Sequence, residues 1–176
     1  MKINSISKSV AIASAIILSL FSACKKDPPA PVSEQENLNV LKIKIGTATF
    51  TWSDLDGPGG NAPKIDTIKL SPNASLATEI TIQDGSVNPV KDFTPEIIAE
   101  DKDHLFVYKP TGNLTFSALS KDANGKDFGQ TATVKTTTAG SGSLQIILKH
   151  LPDKSSTNPA ATGESDIDVT FPVVIR

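Results

Sequence analysis

A two-residue alternation of apolar and polar side chains near the C-terminus limits the possible folds of this chain more than any other feature. The apolar positions are Ile167, Val169, Phe171, Val173 and Ile175, and polar residues separate them as far as Thr170. Successive side chains of a strand point to opposite faces of a sheet, so the pattern predicts a strand with one buried face. The same period recurs in residues 41–45, 76–82, 114–118 and 144–148. We therefore expect an all-β fold, an immunoglobulin-like β-sandwich of about eight strands.

Turn residues are expected to separate these strands. The apolar positions change phase after Gly46, which predicts a bulge or bend there. Asn124-Gly125 is typical of a type I′ hairpin turn, because both residues tolerate positive φ angles. Pro172 lacks a backbone N–H donor and favours an edge position for the last strand.

One short helix is expected at residues 94–100. Thr94 suits the N-cap, where its hydroxyl could accept a backbone N–H. Pro95 suits the first helical position, where no donor is needed. The segment allows one or two turns only.

The first 23 residues predict an export signal. Lys2 and Lys8 precede an uncharged, largely apolar run over residues 10–21. The run ends in Ala23-Cys24, and in this it resembles a bacterial lipoprotein signal, which implies cleavage before Cys24 and lipid attachment to that residue. The alternatives are an ordinary signal peptide or a membrane anchor with an incidental cysteine, although about a dozen apolar residues are few for a spanning helix.

The region after the signal predicts a tethered domain in the cell envelope. Residues 24–37 comprise the lipidated cysteine and a flexible segment rich in Pro and charge, and residues 38–176 form the domain. Cys24-Lys25-Lys26-Asp27 partly matches the surface-export signal of Bacteroidetes lipoproteins, so outer-membrane anchoring is expected on either face.

Composition limits the partners and the chemistry. Cys24 is the only cysteine, so once lipidated it leaves no thiol for a disulfide or a metal site. The net charge is −2 without a basic patch, which argues against nucleic-acid binding. There is no nucleophile elbow and no phosphate-binding loop, and few aromatic residues accompany the acidic pairs. We therefore expect a non-enzymatic protein.

One loop has the composition of a calcium site. Asp54, Asp56 and Asn61 place oxygen donors around a glycine-rich turn, as calcium loops do. The loop lacks the later acidic residue of an EF-hand, and Pro58 interrupts it. The alternative is a solvated turn in which the aspartates cap local backbone donors.

The only two histidines form a second candidate site. His104 begins one predicted strand and His150 ends another, so antiparallel pairing would bring the two rings together. With an acid from Glu100, Asp101 or Asp103, two imidazoles suit zinc or copper. The alternative is a pair of histidines hydrogen-bonded at the rim of the sheet.

Several segments together resemble a family of small Bacteroidetes lipoproteins of unknown biochemical function. They span nearly the whole domain and comprise Asp54-Leu55-Asp56-Gly57, Thr94-Pro95-Glu96-Ile97, Asp103-His104-x-Phe106, Asn124-Gly125-Lys126, Leu148-Lys149-His150-x-Pro152 and residues 163–171. Members of that family are often labelled as type 1 periplasmic binding folds, which have two α/β lobes and about twice this length. The alternating pattern predicts strands throughout instead.

Two functions are consistent with these observations. One is a binding lipoprotein that captures a small ligand or a metal ion beside an outer-membrane transporter, with His104 and His150 at its centre. The other is a structural or interaction module that presents loops to a protein or glycan partner and binds no metal.

The lipid anchor can be tested by replacing Cys24 with Ser. A hydroxyl cannot form the thioether to lipid, so we expect the variant either to move from the membrane to the soluble fraction or to remain unprocessed. Membrane fractionation and the mass of the mature chain measure this. A Ser variant that is processed and membrane-bound like the original would contradict the anchor.

Overall fold

The computed structural model describes residues 37–176. The predicted signal peptide, Cys24 and the tether up to residue 36 lie outside the described residues. No helix in the described part of the chain is long and apolar enough to cross a membrane.

Eleven strands within residues 37–176 form two sheets, and the predicted all-β sandwich is confirmed. Sheet I has the order β3-β2-β1-β5-β9-β8, with β6 also paired to β5, and sheet II has the order β4-β11-β10-β7. The strands are β1 (Val40–Ile45), β2 (Ala48–Ser53), β3 (Lys64–Ile65), β4 (Ile68–Leu70), β5 (Ser75–Asp84), β6 (Lys91–Asp92), β7 (His104–Pro110), β8 (Leu114–Ser117), β9 (Thr131–Thr136), β10 (Gly140–His150) and β11 (Glu164–Ile175). Because β3, β4 and β6 have only two or three residues, the longer strands number eight, as expected.

The core lies between the two sheets and uses the alternating positions. Leu41 and Ile43 of β1 meet Ile146 of β10 and Phe171 of β11, all without solvent exposure. Burial of such a side chain contributes about 1.5–3 kcal/mol relative to its exposed state. The even-numbered residues of β7 and β10 therefore face the core, and both histidines belong to that set.

Two turns differ in detail from the prediction. Gly46 is not in a bulge but begins a two-residue hairpin loop, because Ile45 pairs with Ala48. Its φ of +59° favours glycine, and the reversal of the chain explains the change of apolar phase. Asn124-Gly125 does form a turn, but only Gly125 has a positive φ, so the turn is not type I′.

Pro172 lies at a local edge of β11. The strand has β10 on one side and β4 on the other. Pairing with β4 begins only at Val173, so the missing donor of Pro172 falls where β11 has no neighbour on that side. The predicted edge position therefore holds at Pro172 itself, although β4 extends the sheet beyond it.

The predicted short helix, α1 (Thr94–Ala99), is confirmed, but its cap differs from the expected one. Phe93 is the N-cap residue and Thr94 is already helical. The Asp92 carboxylate accepts the Thr94 N–H at 2.9 Å, and the Thr94 hydroxyl accepts the N–H of Ile82 on β5. The threonine thus fastens the helix to sheet I instead of capping it.

The helix ends beside the start of β7, at what we call the histidine end of the sandwich. This end contains the start of β7, the end of β10 and the start of β11. The first described residues also lie here, because Asn39 donates its side-chain N–H to Asp84 at the end of β5. The turn before β8 and the C-terminal Arg176 lie at the opposite end.

Candidate functional site

The two histidines are direct neighbours across two strands. His104 of β7 pairs with His150 of β10 in the antiparallel register. The Leu151 N–H bonds to Asp103 O and the Thr111 N–H to Ser143 O, so the odd-numbered residues of β7 carry the ladder bonds. His104 and His150 therefore form a pair without ladder bonds between them, the kind in which side chains come closest. Their rings stack with centroids 5.1 Å apart and planes 9° apart.

The hydrogen bonding of His104 defines its tautomer. This residue is only 5% exposed, and its Nδ1 lies 3.1 Å from the carbonyl oxygen of Glu100. A carbonyl oxygen only accepts, so Nδ1 carries the proton and donates it. In the neutral ring Nε2 then keeps its lone pair, which is the electron pair that a metal ion requires. His150 is half-buried, and its imidazole ring makes no hydrogen bond to the described residues.

The three acids proposed from sequence have other contacts. Glu100 offers its carbonyl oxygen to His104 instead of its carboxylate. Asp101 accepts the backbone N–H of Ala123 at 3.0 Å through its carboxylate. Asp103 accepts the Leu151 N–H through its backbone and so helps to position the end of β10. These contacts hold the ends of β7 and β10 in place, and none of them joins a carboxylate to an imidazole ring.

Two acids of β11 lie beside the histidines in the sheet, and the sequence did not predict them as partners of these rings. Glu164 lies opposite His150 in the register. The register shifts between Leu148 and Lys149, and this β-bulge leaves Asp166 without a partner on β10. Only the order of the strands places Glu164 and Asp166 beside the histidines, and the alternating sequence pattern does not encode that order.

The protonation of Asp166 reflects this location. Although the residue is exposed, the surrounding strands remove part of the water from its carboxyl group, and this loss of hydration raises its pKa above the ordinary value. Positive charge on His150 and His104 acts in the opposite direction. Asp166 is therefore close enough to the histidine pair for their charges to interact.

The histidine end does not contain a preassembled metal cage. Within residues 37–176, no group of three or more His, Cys, Asp or Glu side chains is positioned to hold a metal ion. The lone pairs of an imidazole lie in its ring plane, so one ion cannot sit between two stacked faces. It would have to lie at the ring edges, with Nε2 of His104 as one ligand.

The predicted calcium loop is partly satisfied by its own residues. Asp56 accepts the backbone N–H of Asn61 at 2.9 Å and its side-chain N–H at 2.6 Å. These bonds, the backbone one foremost, lower the pKa of Asp56. Asp54, Asp56 and Asn61 line one hollow of about 390 Å³. Among the described residues, Asp54 Oδ1 is the one buried side-chain oxygen or nitrogen without a hydrogen-bond partner.

A buried ion pair joins three loops beside the histidine end, and the sequence analysis missed it. The Lys154 ammonium lies 3.0 Å from the Asp122 carboxylate, with side chains 8% and 1% exposed. The same ammonium donates to the carbonyl oxygen of Asp101 at 2.5 Å. Asp122 also accepts the N–H groups of Asn124 and Lys126. Nothing in the sequence around Lys154 signals a distant partner.

This pair also determines the charge of Asp122. Burial alone would raise the pKa of its carboxyl group, but the bonds from Lys154 and the two backbone N–H groups outweigh it, and the pKa is lowered. A carboxyl group with a lowered folded-state pKa stabilises the fold above its unfolded pKa near 4. That contribution is lost as the pH falls through the lower, folded value.

We expect Lys154→Met to destabilise the fold by about 3 kcal/mol, because it leaves the Asp122 charge buried without its partner. Lys121→Met is the matched control, since Lys121 and its partner Asp127 are both more than half exposed. The control should cost less than about 1 kcal/mol. Urea unfolding at pH 7 measures both, and equal losses would contradict a special role for the buried pair.

Comparison with known proteins adds no assignment to this geometry. No protein-family model, no curated protein and no solved structure matches the chain. The resemblance to small Bacteroidetes lipoproteins therefore stays a prediction from the sequence. Functional inference for this chain starts from the contacts of its own described residues.

Proposed function

We propose that this chain is a non-enzymatic, lipid-anchored outer-membrane protein that binds one zinc or copper ion at His104 and His150. The observation that carries the proposal is the stacking of the two imidazoles on directly paired strand positions. In this role the domain serves as an accessory module that transfers its ion to an outer-membrane transporter or receives the ion from one.

The chemistry of the donor set fits a borderline transition metal. Both zinc and copper accept imidazole nitrogen, and zinc–nitrogen bonds are about 2.0–2.1 Å long. The half-buried His150 ring would rotate out of the stack while His104 keeps its bond to Glu100, so that one nitrogen of each ring meets the ion. Asp166 or Glu164 supplies a carboxylate oxygen from β11, and water completes the coordination.

The surroundings of His104 already resemble the outer shell of a metal ligand. Metal-binding histidines usually donate their second ring N–H to a carbonyl or carboxylate oxygen, which fixes the ring and its tautomer. The bond from His104 Nδ1 to Glu100 O has this form. It leaves Nε2 as the available donor atom of this residue.

The position of the site is consistent with an anchored module. The first described residues lie at the histidine end, so the tether predicted for residues 25–37 joins the domain there. An anchor on this predicted tether would therefore be attached to the domain at its histidine end.

An interaction module without metal is the alternative. It is favoured by the lack of a third preassembled ligand among residues 37–176. In that case the stacked rings act only as a packed cap over the core between the sheets.

A calcium ion in the loop at residues 54–61 is a second candidate, and one observation favours it. Asp54 Oδ1 is buried without a partner, and an unsatisfied buried polar atom costs about 1–3 kcal/mol or more. A cation in the shared hollow would satisfy this oxygen. The bonds between Asp56 and Asn61 favour instead a loop that stabilises itself.

The metal proposal is tested on the full chain, made without a His tag and cleared of metal by a chelator. Calorimetric titration with ZnCl₂ and CuCl₂ should show one ion per chain. His150→Ala should weaken binding by at least about tenfold, the loss that a single altered contact causes at many metal sites. The copper-loaded protein should show nitrogen coupling from two imidazoles in its electron paramagnetic resonance spectrum.

A matched pair of variants identifies the acid. Asp166→Asn should weaken metal binding, whereas Asp103→Asn, with the same loss of charge, should not. Metal binding that is unchanged in His150→Ala, or undetectable in the unmodified chain, would show that the histidine pair is structural.

The calcium candidate is tested by thermal unfolding. If the ion satisfies Asp54, CaCl₂ at ten times its dissociation constant stabilises the fold by about 1.4 kcal/mol, and Asp54→Asn abolishes this gain. Glu79→Gln, which removes an exposed carboxylate from β5, should retain it. Equal effects of CaCl₂ and MgCl₂, or none from either, would identify the loop as self-stabilised.

A further inference from the structure

We propose that a groove along the free edge of β7 binds a small organic anion with an apolar or aromatic body. This edge groove has a volume of about 410 Å³ and lies between β7, Phe116 of β8, and the loops 119–127 and 154–160. Its volume is in the range of small-molecule sites, about 300–1,000 Å³. It does not include the histidines or the calcium loop, so the inference is independent of the proposed function.

One wall of the edge groove is aromatic and rigid. The rings of Tyr108 and Phe116 stack with centroids 4.5 Å apart. The Tyr108 hydroxyl donates to the carbonyl oxygen of Gly129 at 2.6 Å, which fixes the orientation of the ring. Burial raises the pKa of Tyr108 far above its ordinary value, so the phenol is neutral. Together with Leu119 and Pro159, the wall offers an uncharged surface to the body of a ligand.

The rim of the edge groove is positively charged. Lys121, Lys126 and Lys154 line it, against one carboxylate from Asp127. Lys154 is engaged by Asp122 and Lys121 by Asp127, whereas Lys126 has no ion pair with any residue from 37 to 176. With both of these ion pairs counted, one positive charge remains in excess, and Lys126 is the ammonium that is available to a carboxylate, phosphate or sulfonate.

Strand addition by a peptide does not fit this edge. A peptide that extends sheet II needs several successive free backbone groups on β7. The Phe106 N–H already bonds to Phe128 O at 2.7 Å, and Pro110 has no N–H. Only Tyr108, between them, directs an N–H away from β10 into the groove. A single donor beside an apolar wall and a free ammonium favours a small anion over a peptide strand.

The test uses anilinonaphthalene sulfonate, an aromatic anion whose fluorescence rises in apolar surroundings. The full chain carries Cys24→Ser, so that no acyl group competes for the groove. We expect saturable binding of one probe per chain. The neutral analogue phenylnaphthylamine should bind at least about fivefold more weakly, because it lacks the group that pairs with Lys126. Amide chemical shifts should change at Tyr108, Phe116 and Lys126.

Three variants separate the contribution of charge from unspecific binding of the probe to apolar surface. Lys126→Glu should weaken binding of the sulfonate by about fivefold. Asp127→Asn, which frees Lys121, should strengthen it by a factor of about two to five. Lys135→Glu, an exposed lysine of β9 outside the groove with the same charge change, should leave it unaltered.

Several results would overturn the proposal. Equal affinity of the neutral and anionic probes, or equal effects of Lys126→Glu and Lys135→Glu, would show an unspecific apolar surface. Chemical-shift changes confined to residues outside the edge groove would place the ligand elsewhere. An acidic peptide that displaces the probe and extends the protected amides of β7 would show a strand-binding edge instead.

Discussion

The antiparallel pairing of β10 with its two neighbours is the constraint on which the rest of the structure depends. β10 is central in sheet II, and its apolar face closes the core against sheet I. A shift of one residue in its register would turn that whole face toward solvent. The same register brings His150 beside His104 on one side and beside Glu164 on the other. The register that buries the core therefore also positions the residues of the histidine end.

Polar contacts at the histidine end then arrange the loops. Lys154 connects its own loop to Asp122 and to the backbone of Asp101, the segment between α1 and β7. Gly163 approaches the His150 carbonyl so closely that a β-carbon would clash there, and its φ of +68° favours glycine. These contacts hold the start of β11, and with it Glu164, against the end of β10. Of these residues, Lys154 also lines the edge groove.

The two proposed sites differ in their physical character. The histidine pair lies on the core face, with His104 nearly buried and its tautomer determined by a backbone carbonyl. As the proposed metal site, it would need a carboxylate from β11 to complete its ligands. The edge groove lies on the outer side of the β7 edge, where it combines an aromatic wall with an excess of positive charge. The proposed metal ion and the proposed organic anion would therefore occupy separate places on the same strand, β7.

The sequence by itself determined the all-β class, the buried face of each long strand and the short helix, because alternation and turn residues are local properties. It also indicated that His104 and His150 lie at strand ends that can meet. Only the tertiary structure decided which strands pair, and this pairing brought Glu164 and Asp166 of β11 beside the histidines. Strand order and the bulge at β11 depend on contacts between residues far apart in the chain. The pairing of Lys154 with Asp122 depends on the same distant contacts, which no local pattern records.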